Sequence, residues 1–248
     1  MHDLRQLGEQ ATAHLISPRR GPGVCGDCLN LTRGYDRCYA CAAGSQQLAA
    51  VLPVSYSVAG EHLHSTLAAY KRAADPSVEA ATAELAGILW RFLEAHEPCV
   101  AAAVGVGAFE LVTTVPSGDR GRDAHHPLRR IVGELADPTR ERHRRLLRRT
   151  TTAVTPRRFD PARFRAVEPL DGATVLLIDD TWTSGASAQS AAAALRAAGA
   201  GPVAAVVIGR HLNLGWNDNS RRLATVRGRF DFSACALCAS PALSQAAA

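Results

Sequence analysis

Lysine is almost missing from this chain. Lys71 is the only one, although Lys and Arg together number 28 against 23 Asp and Glu, for a formal net charge of +5. A GC-rich coding sequence produces such an arginine bias together with alanine-rich helices. The arginines alone therefore say little about a polyanionic partner. Aromatic residues are also scarce, at 5%. Long apolar runs are absent: the longest, around residues 99–108, contains Gly105 and Gly107 and falls well short of the roughly 20 residues a bilayer requires. Residues 1–20 carry Asp3, Arg5, Glu9 and His14 and have no continuous apolar core, unlike a secretory signal. The expectation is a cytoplasmic protein with no membrane span. With 47% hydrophobic and 21% charged residues, the composition excludes a disordered chain and a collagen-like fibre. A length of 248 residues allows one substantial domain and a small appendage.

Seven cysteines stand out against this background. In a reducing compartment, closely spaced thiols are metal ligands more often than disulfides. Cys25-x2-Cys28, nine residues, then Cys38-x2-Cys41 form two knuckles. Four thiolates at this spacing suit a tetrahedral zinc, which folds a segment too small for a core of its own. A closed four-sulfur site leaves no open position, so the expected role is structural. Cys235-x2-Cys238 adds a third knuckle. It either replaces an N-terminal pair in a shared site, forms a separate half-site, or consists of two plain buried cysteines. Cys99, alone after a helix, reads as a small core residue.

Composition divides the chain into residues 1–50, rich in Gly, Cys and polar residues, a long middle segment 51–228, and a tail 229–248. In the middle segment, residues 51–57 read as a strand and 62–73 as a helix. Asp75-Pro76-Ser77 stops that helix and starts another running to about His96, with Leu85, Ile88, Leu89, Phe92 and Leu93 at helical spacing. Strands are expected at 109–115, 173–178 and 202–208, and helices at 127–135 and 187–198, the last closed by Gly199. Fully apolar strands alternating with helices indicate a parallel sheet covered on both faces. The basic stretch 140–149 reads first as a solvated helix face with Leu146 and Leu147 turned inward. A lid over a ligand and a polyanion patch are the alternatives.

The densest chemistry follows the apolar run Val175-Leu176-Leu177-Ile178. Asp179 and Asp180 come at once, then Thr181-Trp182-Thr183-Ser184-Gly185-Ala186-Ser187 leads into a helix. Two adjacent carboxylates at the end of a buried strand need a positive or hydroxylated partner. A hydroxyl-rich turn ahead of a helix N-terminus is an anion cradle. Acids beside such a cradle suit a ligand with both hydroxyls and phosphate, namely a sugar phosphate.

This segment resembles the phosphoribosyl-pyrophosphate (PRPP) motif of type I phosphoribosyltransferases. Joined to the cysteine finger, the helix end Leu67-Ala68-Ala69-Tyr70-Lys71 and the loop Val115-Pro116-Ser117-Gly118-Asp119-Arg120-Gly121-Arg122, the chain is similar to the ComF-type phosphoribosyltransferase family. The resemblance implies an α/β fold: a type I phosphoribosyltransferase-like parallel sheet flanked by helices, with a small N-terminal zinc-ribbon-like finger. It also implies transfer of phosphoribosyl from PRPP, with Mg²⁺, to an unidentified nitrogen acceptor. Asp179 and Asp180 would face the ribose hydroxyls. Thr181, Thr183, Ser184, Gly185, Ala186 and Ser187 would hold the 5-phosphate. Ser117, Arg120 and Arg122 would meet the diphosphate. Lys71 reads either as a cation over the diphosphate or as a helix-end charge. Arg210 and Trp216 are acceptor-side candidates. The position of Thr183 carries an acid in some purine transferases; here the motif assigns no general base. The family's competence association leaves a second reading, a non-catalytic PRPP sensor or a single-stranded nucleic-acid-binding protein.

Overall fold

The computed structural model of the chain describes residues 3–72, 77–117, 126–216 and 218–238. The first half contains α1 (Leu4–Ala11), α2 (Tyr39–Ala43), β1 (Ala50–Val58), α3 (His62–Ala69), α4 (Ser77–Ala103), β2 (Leu111–Thr114), α5 (Pro127–Arg130) and α6 (Asp137–Arg140). The second contains β3 (Leu147–Arg149), β4 (Phe164–Ala166), β5 (Val175–Trp182), α7 (Ala186–Ala197), β6 (Val203–Leu212) and α8 (Asn219–Val226). Among the described residues, β1, β6, β5 and β2 form one parallel sheet in that order, and β3 pairs antiparallel with β4. No described helix is long and apolar enough to cross a membrane.

The period-two geometry of the strands explains why β5 and β6 are apolar throughout. Leu176, Ile178, Ala204, Val206 and Ile208 face one layer, where they meet Leu85, Leu89 and Phe92 of α4 and Leu128 of α5. Val175, Leu177, Val203, Ala205 and Val207 face the other, against Ala188, Ala191 and Leu195 of α7. Cys25, Cys28 and Cys38 pack into that second layer. The finger is therefore seated on the sheet. Its seat is reinforced by the Tyr56 hydroxyl, which donates to the Leu29 carbonyl at 2.8 Å.

Several local expectations change, as α4 runs through Pro98 to Ala103 and β6 runs on to Leu212. β5 runs on to Trp182 because its ladder with β6 continues through Asp179–Val207 and Thr181–Gly209. The acids thus lie in the strand and not after it. Residues 127–135 divide into α5 and a π turn, Ile131–Leu135, that still buries Ile131 and Val132. Residues 140–149 are not a helix. The Val112 amide donates to the Arg142 carbonyl at 3.0 Å and the Arg144 amide to the Val112 carbonyl at 2.8 Å. The open edge of β2 captures this backbone, so Leu146 and Leu147 are buried as expected but on an extended chain.

Neither α1 nor α8 was expected. α1 crosses α4 where Gly8 meets Gly87. A Cβ on Gly87 would fall 2.2 Å from the Leu4 carbonyl oxygen and 2.8 Å from the Gly8 nitrogen. Salt bridges Arg5–Glu94 and Arg91–Glu9 flank the crossing. In an uncrowded helix interior, Gly→Ala stabilises by roughly 0.5–1 kcal/mol. Here the added methyl overpacks, and Gly87→Ala is expected to lower the unfolding free energy by about 1–3 kcal/mol in urea titrations. A stabilised Gly87→Ala protein would show that the α1–α4 crossing is not this tight.

Candidate functional site

β5 brings both acids to the carboxyl edge of the sheet. Its apolar half, Val175 to Ile178, is fully buried. Asp180 is 7% exposed, a position that strongly penalises an unpaired carboxylate. The end of α3 supplies its partners. The Tyr70 hydroxyl donates to Asp180 Oδ2. Lys71 Nζ donates to Oδ1 at 2.6 Å. Tyr70 is itself buried, with its ring edge-on to His126 at a centroid distance of 6.5 Å. His126 caps α5, its Nδ1 accepting the Leu128 amide at 3.3 Å.

This environment drives the two carboxyls apart. Burial pushes Asp179 well above its usual value of 3.8, the adjacent Asp180 charge adds to that push, and Lys71 only partly opposes it. Burial also acts to raise Asp180, but the Lys71 charge, the hydrogen bonds from Lys71 and Tyr70, and His126 outweigh it and hold Asp180 below 3.8. One carboxyl that holds its proton more tightly than usual thus sits beside one that gives it up more readily.

The loop behind them depends on Gly185. Its φ is +79°, and a Cβ there would lie 2.1 Å from the Trp182 ring. Glycine alone lets the chain fold over this buried indole and enter α7 directly. The first-turn amides of α7 have no carbonyl partner within the helix and favour an anion. Thr183 and Ser187 are exposed in front of them.

Asp179, Asp180, Lys71, Thr181, Thr183, Ser187 and Ser117 share one cleft of about 500 Å³, together with Ser57, His64 and His126. A larger depression of about 1060 Å³ lies on the finger side and is lined by Ser184, Ala186, Arg157 and Arg158. Size favours the second, but it holds neither acid. The smaller cleft is the candidate site because the carboxyl pair and Lys71 converge there.

No family model, curated protein or solved structure matches the chain.

The cleft gathers seven of the residues singled out in the sequence. Ser184 and Ala186 face the other depression, and Gly185 is buried. Arg120 and Arg122 lie outside the described residues. Arg210 is 2% exposed, and its guanidinium donates to the carbonyls of Trp182 (3.0 Å) and Cys28 (3.1 Å). That arrangement makes it a strut between β6 and the finger. Trp216 is 64% exposed and does not line the cleft. Sequence reading overlooked Tyr70, His126, His64 and Ser57. Tyr70 had a visible signal, its place next to the only lysine.

The N-terminal cysteines converge as their spacing predicts. The four sulfurs lie within 4.8 Å of one another, with Cys28 and Cys38 at 3.7 Å. Arg37 links the knuckles, donating to Asp27 at 2.7 Å and to the Cys41 carbonyl. The donor set and its compactness fit one tetrahedral ion. Cys235 and Cys238 do not exchange into this site. They meet Cys99 and His96 instead, which overturns the shared-site alternative.

A pH experiment tests the acidic pair. A folded-state pKa above the unfolded value contributes stability that is lost as pH rises through the folded value. Asp179 therefore destabilises the fold progressively above pH 3.8, until it is fully ionised. Asp180 acts in the opposite sense, its contribution being lost as pH falls below 3.8. Urea unfolding across pH should show a declining limb in the wild type that Asp179→Asn flattens. Identical profiles for the two proteins would contradict the assignment.

Proposed function

We propose that the cleft binds PRPP and that the protein is a phosphoribosyltransferase acting on a nitrogen acceptor. The observation that carries this reading is the convergence of Asp179, Asp180, Lys71, Thr183 and Ser187 on one cleft at the carboxyl edge of a parallel sheet. Ligands of open α/β sheets bind at such edges. The α7 N-terminus and the hydroxyls of Thr183 and Ser187 suit a 5-phosphate. The carboxyl pair suits a vicinal diol: ionised Asp180 accepts a hydrogen bond, and Asp179 either donates or accepts one.

Displacement at ribose carbon 1 builds positive charge on the sugar and negative charge on the leaving diphosphate. The protein's part is positioning and preorganised electrostatics. Lys71 keeps Asp180 ionised and puts a cation on the cleft wall. Magnesium fits as an ion carried in by the diphosphate, since Asp180 is already taken by Lys71 and Tyr70 and only Asp179 remains for it among the paired acids. When bound, it neutralises diphosphate charge. In the finger, Cys25, Cys28, Cys38 and Cys41 would hold a structural zinc.

Calorimetric titration with PRPP and Mg²⁺ tests the reading. The Asp179→Asn/Asp180→Asn double variant should bind about 10–100-fold more weakly than wild type, as loss of charge-assisted hydrogen bonds worth about 1.5–3 kcal/mol implies. Equal binding by both proteins, or none by either, removes the site. Pyrophosphate release on adding ammonia or a free base then separates transfer from PRPP sensing without turnover.

A further inference from the structure

Every cysteine of the chain lies in one of two four-ligand groups. The second consists of His96, Cys99, Cys235 and Cys238, all four donor atoms lying within 4.8 Å of one another. His96 and Cys99 are three residues apart near the end of α4, so they share one helix face. Cys235 and Cys238 come from the chain's C-terminal segment, more than 130 residues later.

We propose that these four residues form a second structural metal site, a Cys₃His zinc centre that staples the C-terminal segment to α4. The edges of the group carry the argument. A tetrahedral zinc with Zn–S of about 2.3 Å and Zn–N of about 2.0–2.1 Å sets sulfur–sulfur edges of about 3.8 Å and sulfur–nitrogen edges of about 3.5 Å. The observed sulfur–sulfur edges are 3.5 Å for Cys235–Cys238 and 3.8 Å for Cys99–Cys238. His96 Nδ1 lies 3.6 Å from Cys238 Sγ and 3.8 Å from Cys99 Sγ. A disulfide would draw two sulfurs to about 2.03–2.05 Å and leave a thiol and an imidazole facing it without purpose.

The knuckle is also built to carry thiolate charge. The Cys235 amide donates to Cys238 Sγ at 3.2 Å, and the Leu237 amide donates to Cys235 Sγ at 3.3 Å. His96 is 2% exposed, and its ring packs against Phe92 at 4.9 Å. Four protein donors leave no open position, so the ion is structural and not catalytic.

The site explains how a segment without helix or strand is held. Phe230 and Phe232 insert into the core shared by α1 and α4 just before the knuckle. Arg20 then bridges the two cysteine groups, donating to the Ala236 carbonyl at 3.0 Å and the Gly26 carbonyl at 3.1 Å. Each of those carbonyls lies inside a Cys-x2-Cys knuckle. The two metal sites would thus be linked parts of one clamp that holds the finger on the sheet and the C-terminal segment on α4.

Native mass spectrometry of the full-length, untagged protein, purified under reducing conditions, tests this. Two zinc ions per chain are expected. Cys99→Ser/Cys238→Ser should retain one, and Cys25→Ser/Cys28→Ser should retain the other. Cys238→His preserves four donors and should still hold two. Should a serine variant fail to fold, alkylation of the wild type decides: Cys99, Cys235 and Cys238 should resist iodoacetamide until a zinc chelator is added. One zinc per chain with these three thiols freely alkylated overturns the proposal. So does one zinc with a Cys235–Cys238 disulfide, seen as a loss of two hydrogens.

Discussion

An ionised carboxylate held within a buried strand, just past its apolar half, is the constraint around which the cleft is arranged. Asp180 is nearly buried, and Lys71, whose side chain is 30% exposed, meets it at 2.6 Å. At an effective dielectric of about 20, such a pair attracts with about 6 kcal/mol. Loss of water from the carboxylate offsets much of that. The balance is favourable because Tyr70 satisfies the second oxygen and because Lys71 keeps one side in solvent. The end of α3 must therefore lie against β5, and the geometry of the cleft follows from that contact. With Asp180 held as the anion, Asp179 is the carboxyl whose pKa is pushed up.

The rest of the molecule holds these elements rigidly. The even-numbered residues at the heart of β5 and β6 lock the sheet onto α4, and the odd-numbered ones lock it onto α7 and the finger. Arg210 shows how closely finger and cleft are joined. It leaves β6 at the strand's carboxyl end and ties the Cys28 carbonyl to that of Trp182, the residue beneath Gly185. Loss of order in the finger would thus reach the backbone of the Gly185 turn through one guanidinium and one indole. The finger is on this view a brace for the site, seated on the opposite layer from α3.

The chain's ends are secured by chemistry more than by area. α1 approaches α4 through paired glycines, and the C-terminal segment contributes two phenylalanines and a knuckle of cysteines.

The sheet, the carboxylate pair and the four-cysteine finger were legible in the order of residues alone, because these depend on short-range pattern: unbroken apolar runs, adjacent acids, and knuckles of fixed spacing. It also marked Lys71, through its rarity. Tertiary structure decided what those residues do to one another. Only packing brings Tyr70 and Lys71 to Asp180 across more than 100 positions, and so only packing separates the two acids' protonation. It turned residues 140–149 from an amphipathic helix into an edge chain, since the open side of β2 offers backbone partners that no local propensity encodes. It withdrew Arg210 from the cleft, because a buried guanidinium takes the nearest carbonyls. And it joined Cys99 to Cys235 and Cys238, a set that no spacing rule predicts because its members meet only when α4 and the C-terminal segment pack together.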